Sequence, residues 1–290
     1  MEKTLFGLSV AATTPFTMRG EIELKTFRQH VTTLMENGVD SVTFFGTTGE
    51  GPSISLDEKL TFLSYLCPKY LNPSDAIVAI ICSSTADAKT EITEYNNLGI
   101  NRFLVAPPYF FGNPGSLGLK EWFSDIFSTQ VQTNNRFILY NIPQVTGVTI
   151  ENDLISELRQ EFGNQIIYGV KDSSGDKARA KIYLKNKGLM VAIGDESLIA
   201  DCVSLGASGS ICGLSNIFPQ KILQIIKSRC KDAQINALIV EILKFPVTPG
   251  VKAILALKTQ NDIWLNVKPP LIKASEAQIT CLKQIMNTDT

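Results

Sequence analysis

The chain has 290 residues, a formal net charge of −1, 44% hydrophobic and 19% charged residues. That is a globular composition, with ample length to bury a core, and it excludes a disordered chain. Near-neutral charge gives no support for nucleic acid or an anionic membrane as partner, and no apolar run approaches a membrane span. The six cysteines are scattered, none in a Cys-x-x-Cys pair, and most lie in apolar or amphipathic runs, so they are expected to be reduced core residues. No secretory signal is visible at the amino terminus, and the expected location is the cytoplasm.

In chain order, short apolar runs alternate with amphipathic segments. Strands are expected at Leu8–Thr13, Ser41–Phe45, Ala76–Cys82, Arg102–Ala106, Arg136–Asn141, Ile166–Lys171, Met190–Ile193 and Gly209–Cys212. Each is followed by a helical pattern: Ile22–Asn37, Leu56–Tyr70, Thr85–Leu98, Leu117–Gln130, Ile150–Glu161, Asp176–Lys187, Ser197–Leu205 and Phe218–Cys230. Eight βα units imply a parallel sheet, and eight is the number that closes a barrel. The rival, a doubly wound open sheet, is weakened because no Gly-x-Gly-x-x-Gly follows the first strand. From 231 the pattern changes to helices alone: Lys231–Phe245, Pro249–Lys258 and Ser275–Met286. The expected fold is therefore an α/β (β/α)8 TIM barrel over residues 1–230 with a C-terminal helical extension, 231–290, packed on it.

Chemistry in such a barrel gathers at the carboxyl ends of the strands. Lys171 ends the sixth apolar run, just before the turn Asp172-Ser173-Ser174-Gly175. Burial of an ammonium disfavours its charged form and frees the amine as a nucleophile for a ketone or aldehyde. The plainer alternative is a lysine neutralised by Asp172. Tyr140, at the end of the fifth strand, suits a general acid/base, or a core tyrosine with a satisfied hydroxyl. The glycine-rich turn Gly46–Ser53 could hold a small carboxylate through its hydroxyls and amides, or simply lead into a helix capped by Ser55. The loop Ala106–Gly112 carries Tyr109 and two phenylalanines, expected to pack against something, with a neighbouring subunit one candidate. Asp195 and Glu196, after the seventh strand, suit either sugar hydroxyls or an N-cap cluster centred on Ser197. The single histidine, His30, is expected on a solvated helix face, which leaves a Ser-His-Asp triad or a zinc site little to work with.

Five stretches in order, Thr14-Pro15-Phe16, Gly46–Glu50, Tyr140–Pro143, Gly169–Asp172 and Gly209–Cys212, resemble the dihydrodipicolinate synthase and N-acetylneuraminate lyase family, the class I pyruvate aldolases. The resemblance covers nearly the whole chain. It implies a (β/α)8 barrel, usually a homotetramer, with no metal and no organic cofactor. It implies that Lys171 forms an imine with pyruvate or another 2-oxo acid, that Tyr140 shuttles the proton, and that Thr47 stands in the relay. Thr48 and nearby amides would hold the pyruvate carboxylate, the Ile211 carbonyl would line the pocket, and Tyr109 would enter a neighbouring subunit's site.

The departures from the family pattern narrow the substrate. Dihydrodipicolinate synthases typically carry an arginine where this chain has Val145, and a valine cannot grip a second carboxylate. Sialate lyases often read Gly-Ser-Thr-Gly-Glu and carry serine at the place of Gly213, although the Asp195-Glu196 pair is shared in type. The pattern looks more like 2-keto-3-deoxygluconate aldolases. The leading expectation is reversible retro-aldol cleavage of a 2-keto-3-deoxy sugar acid to pyruvate and an aldehyde. Gly194, Asp195, Glu196, Ser215 and Thr248 are then candidate contacts for the hydroxylated tail. The alternatives are condensation or cleavage of the synthase or sialate type, a dehydratase using the same imine, or a silent barrel that binds a 2-oxo acid.

Overall fold

The structure, a computed structural model, describes residues 6–112, 114–131 and 133–287. Eight parallel strands close into a barrel in sequence order: β1 Gly7–Ala11, β2 Ser41–Phe44, β3 Ala76–Ile80, β4 Arg102–Val105, β5 Arg136–Asn141, β6 Ile167–Asp172, β7 Met190–Ile193 and β8 Gly209–Cys212, with β8 pairing back onto β1. The helices are α1 Leu24–Glu36, α2 Leu56–Leu66, α3 Thr85–Asn97, α4 Gly115–Ser128, α5 Pro143–Thr146, α6 Asn152–Phe162, α7 Lys177–Tyr183, α8 Ile199–Ser204, α9 Pro219–Ser228, α10 Ala233–Ile242, α11 Val247–Thr259 and α12 Glu276–Asn287. None is long and apolar enough to cross a membrane.

All eight expected strands are present, shorter by one or two residues where the carboxyl end turns into a loop. Several helix boundaries move, α7 ending at Tyr183 rather than Lys187, and two changes have clear local reasons. α2 stops at Leu66, four residues early, because Pro68 follows its C-cap Cys67, which is already extended. The short α5, unforeseen, begins on Pro143 and closes on Gly147 at φ 69°.

Strand alternation sorts the side chains into two cores. Outward residues such as Val42, Phe44, Val78, Val105 and Leu139 pack beneath the helices. Inward residues, among them Ala79, Leu104, Ile138, Met190, Ala192 and Ile211, fill the barrel. Gly169 makes room for this filling: a Cβ there would lie 2.6 Å from the Met190 side chain and carbonyl. After α9, α10 packs on the turn at Glu196–Leu198, while α11 and α12 pack on each other. The cysteines divide: Cys67, Cys202 and Cys212 are buried and free, but Cys230 is exposed, unlike the core position expected for most of them.

His30 is a correction. Its α1 face is covered by Trp264, whose ring centroid lies 4.9 Å away, and its Nε2 donates to Asn216 Oδ1 at 2.9 Å. Burial, partly opposed by that hydrogen bond, holds its pKa down at about 4 against 6.5. A histidine neutral in the folded state takes up its proton only on unfolding. Its contribution is therefore fully present above pH 6.5 and is lost as pH falls from 6.5 towards 4. His30→Gln, which keeps a donor but cannot titrate, should lose about 2 kcal/mol less stability than the parent between pH 7.5 and 5. Urea midpoints at the two pH values measure this. Equal losses in the two proteins would remove the assignment.

Candidate active site

Tyr140 and Lys171 are register partners on β5 and β6, so the pleat aims both into the barrel at its carboxyl end. Lys171 is 5% exposed, and its Nζ lies 4.2 Å from the Tyr140 ring centroid. Among the described residues this ammonium has no ion pair and no hydrogen bond. Asp172, the neutralising partner of the plainer reading, points the other way. Its Oδ1 accepts from Asn141 Nδ2 at 2.9 Å and from the Ser174 amide at 3.1 Å, while burial pushes its carboxyl up. A cation over a ring face is attracted to it, and the nitrogen is left open to a reactant.

The Tyr140 hydroxyl stands 3.3 Å from Thr47 Oγ1. Thr47 sits on the turn after β2, which Phe45 enters at φ 57° and which folds back through Gly51, where a Cβ would lie 1.6 Å from the Phe45 carbonyl oxygen. The amides of Gly49, Glu50 and Gly51 are spent inside this turn, whereas those of Thr47 and Thr48 meet no protein acceptor among the described residues. Consecutive unspent amides beside a cavity form an anion-binding concavity.

A cavity of about 340 Å³ is lined by Thr47, Thr48, Tyr140, Lys171, Ile211 and Gly213, by Ser173, Ser174, Gly194, Asp195 and Glu196, and by Gln144, Val145, Leu243 and Val247. A second lobe of about 420 Å³ shares Thr47, Tyr140, Val145 and Val247 and extends over Ile81, Ala106, Thr248 and Leu271. The two lobes form a cleft on either side of the Thr47–Tyr140 pair. Lys171 is the one cationic residue lining it among the described residues.

The expected contacts separate on inspection. Gly194 contributes space: a Cβ there would lie 1.9 Å from Ser173 Oγ and 3.1 Å from Lys171 Cε. Asp195 lines the cleft, and it, rather than Ser197, is the cap of the next turn, accepting from the Ser197 amide and hydroxyl at 2.9 and 2.7 Å. Glu196 also lines the cleft, but its Oε1 accepts the Leu214 amide at 2.8 Å, and burial pushes its carboxyl up. Thr248 lines the second lobe with its hydroxyl donated to the Thr47 carbonyl at 3.1 Å, so it braces the turn. Ser215 is fully buried off the cleft and donates to the Cys212 carbonyl. Tyr109 is 44% exposed and lines, with Cys82, Ser83 and Asp87, a separate cavity outside that of Lys171.

Two residues of the site escaped the sequence reading. Glu50 and Lys252 form a fully buried ion pair. The other Glu50 oxygen accepts the Lys268 amide at 2.7 Å, and Lys252 also donates to the Asn266 carbonyl at 2.5 Å. The turn that carries Thr47 and Thr48 is thus clamped to α11 and to the segment after it. No local signal announces a pair 202 residues apart.

The model of the dihydrodipicolinate synthetase family matches residues 4–288. A crystal structure of dihydrodipicolinate synthase from Agrobacterium tumefaciens str. C58 is 37% identical, covers 97% of this chain and 98% of its own, and superposes with a TM-score of 0.93. A 4-hydroxy-tetrahydrodipicolinate synthase of Sulfurihydrogenibium sp. (strain YO3AOP1) is 31% identical over 77% of this chain and 74% of its own length. An "Uncharacterized DapA-like lyase" of Chloroflexus aurantiacus is 29% identical over 96% of this chain and 94% of its own. A variant of the Sulfolobus solfataricus 2-keto-3-deoxygluconate aldolase shares the fold at 22% identity and a TM-score of 0.81, covering 97% of this chain and 94% of its own.

Proposed function

This chain belongs to the dihydrodipicolinate synthetase family, class I lyases that form a lysine Schiff base with pyruvate, and from that premise we propose that it cleaves a 2-keto-3-deoxy sugar acid reversibly to pyruvate and an aldehyde on Lys171. The observation that carries the choice of substrate is the lining of the cleft. A substrate with one carboxylate would place it on the Thr47 and Thr48 amides. A second carboxylate, as on an amino acid semialdehyde, would meet Val145, Val247 and Leu243, with no cation but Lys171 in reach. Ser173, Ser174 and Asp195, which also line the cavity, offer partners to neutral hydroxyls.

The chemistry then runs on few groups. The Lys171 amine adds to the 2-oxo carbon and water leaves, giving an iminium that serves as an electron sink. Tyr140 takes the proton of the hydroxyl beside the breaking carbon–carbon bond, and Thr47 holds the Tyr140 hydroxyl in place. The aldehyde departs, the enamine takes a proton back at carbon 3, and hydrolysis of the imine frees pyruvate. Holding the carboxylate and the iminium together fixes the reacting bond before it breaks.

Tyr109 enters this scheme only across a contact between copies of the chain, in the homotetramer we propose. The neighbouring Phe110 and Phe111 are 75% and 81% exposed, an apolar face that a subunit contact would cover. A single-subunit mass in light scattering would remove that part.

A second reading, condensation of pyruvate with an amino acid semialdehyde, is favoured by the names of several relatives. Initial rates separate the two. The expected kcat/KM for 2-keto-3-deoxygluconate cleavage exceeds that for semialdehyde condensation at least about tenfold. Val145→Arg should raise the latter about 10- to 100-fold, the value of one charge-assisted pair. A parent enzyme that prefers the semialdehyde would overturn the sugar-acid reading and leave the lyase class standing.

A further inference from the structure

At the opposite end of the barrel, among the amino ends of the strands, lies a cavity of about 620 Å³, larger than either lobe of the cleft. Arg102 and Arg136 line it. They open β4 and β5 and are register partners, so two guanidinium groups project from adjacent positions of neighbouring strands. Arg102 is half-buried, donates from Nη1 to the Ser74 carbonyl at 2.9 Å, and has its Cζ 5.8 Å from the Phe6 ring centroid. Arg136 is exposed, with its Cζ 5.5 Å from the Tyr168 ring centroid. Asp75 and Asp40 act on Arg102 only at a distance: among the described residues neither arginine has a carboxylate within ion-pair reach. Asn101, Asn134 and Gln165 add amide groups to the walls, and among the described residues no acidic side chain lines them. Burial and the charge of Arg136 both weigh against the Arg102 cation.

Two like charges side by side, with donors around them and no ion-paired carboxylate among the described residues, cost stability that a bound anion would return. A guanidinium presents paired donors in a plane, which matches the oxygens of a phosphate or a carboxylate. We propose that this cavity is a binding site for a small oxyanion-bearing metabolite, held between Arg102 and Arg136 and separate from the Lys171 cleft. The same strands lead to the reaction centre: β5 runs from Arg136 to Tyr140, and β6 from Tyr168 to Lys171. Between them the β5–β6 register shifts at Phe137/Ile138, beside Tyr168. An occupant held by Arg136 therefore bears on the far end of β5, in a cavity that Tyr168 of β6 also lines.

The test uses the Lys171→Ala full-length protein, so that anion binding in the catalytic cleft is reduced. Inorganic phosphate and citrate are titrated separately by calorimetry, against sodium chloride at matched ionic strength. Saturable binding of either, with a rise in Tm, is expected, and which one binds names the source of the oxyanion. Arg136→Gln should weaken it about tenfold or more, and because Arg136 is exposed the fold is retained. Arg102→Gln is the second variant, read only if its Tm stays near the parent's. No saturable binding beyond the chloride control, or binding unchanged in Arg136→Gln, would overturn the proposal.

Discussion

Lys171→Ala should abolish turnover, by on the order of 10⁴-fold or more, while leaving Tm level or raising it. The two effects have one cause. Lys171 is 5% exposed, its Nζ lies over the Tyr140 ring, and among the described residues it has no ion pair, so the fold buries a basic side chain without a counter-charge. Removing it costs the reaction its covalent step and relieves the fold of that burden, the trade expected where a site is built for chemistry rather than stability. Borohydride reduction with pyruvate, read by intact mass and peptide mapping, should mark Lys171 in the parent and nothing in the variant. An adduct on another lysine, or a clear fall in Tm, would show that Lys171 serves the fold instead.

Glu50→Gln should do the reverse and damage stability first. Breaking a buried pair from one side typically costs about 3–5 kcal/mol, because the remaining charge is stranded. Burial already pulls the Lys252 ammonium down to about 8, against the opposing pull of Glu50. Without the carboxylate it falls further. The unfolded chain then binds a proton that the folded one lacks, so the variant's stability should climb as pH rises through this range towards 10.5. Activity should fall with it, since the clamp fixes the turn bearing Thr47 and Thr48. The double variant Glu50→Gln/Lys252→Met should recover most of the stability at neutral pH. A urea midpoint unmoved by Glu50→Gln would mean that the pair contributes nothing.

The barrel was legible because its strands are short, apolar and regularly spaced, and because a parallel register follows from alternation with helices. The Lys171–Tyr140 pair was legible for the same reason: strand ends converge in a barrel, so residues 31 apart in sequence could be set side by side. What stayed hidden depends on partners far along the chain. His30 looked like a surface residue because Asn216 and Trp264, which cover it, lie on distant segments. Ser215 looked available because its position after β8 is right, while the direction of its hydroxyl depends on the turn back to Cys212. The α5 turn has only four residues, too few for a periodic signal.

The clamp on Glu50 also bears on the order in which the protein comes into being. The turn that carries Thr47 and Thr48 leaves the ribosome about two hundred residues before Lys252 and the Lys268 amide, which hold it. At roughly 5–20 residues per second, the intervening two hundred residues take on the order of ten seconds or more to synthesise. The barrel strands can pair during that time, but the turn stays unanchored until Lys252 and Lys268 have emerged. A nascent chain would thus carry Lys171 well before it has a shaped cleft, and reactivity towards 2-oxo acids would arrive only once α11 and the segment after it are in place.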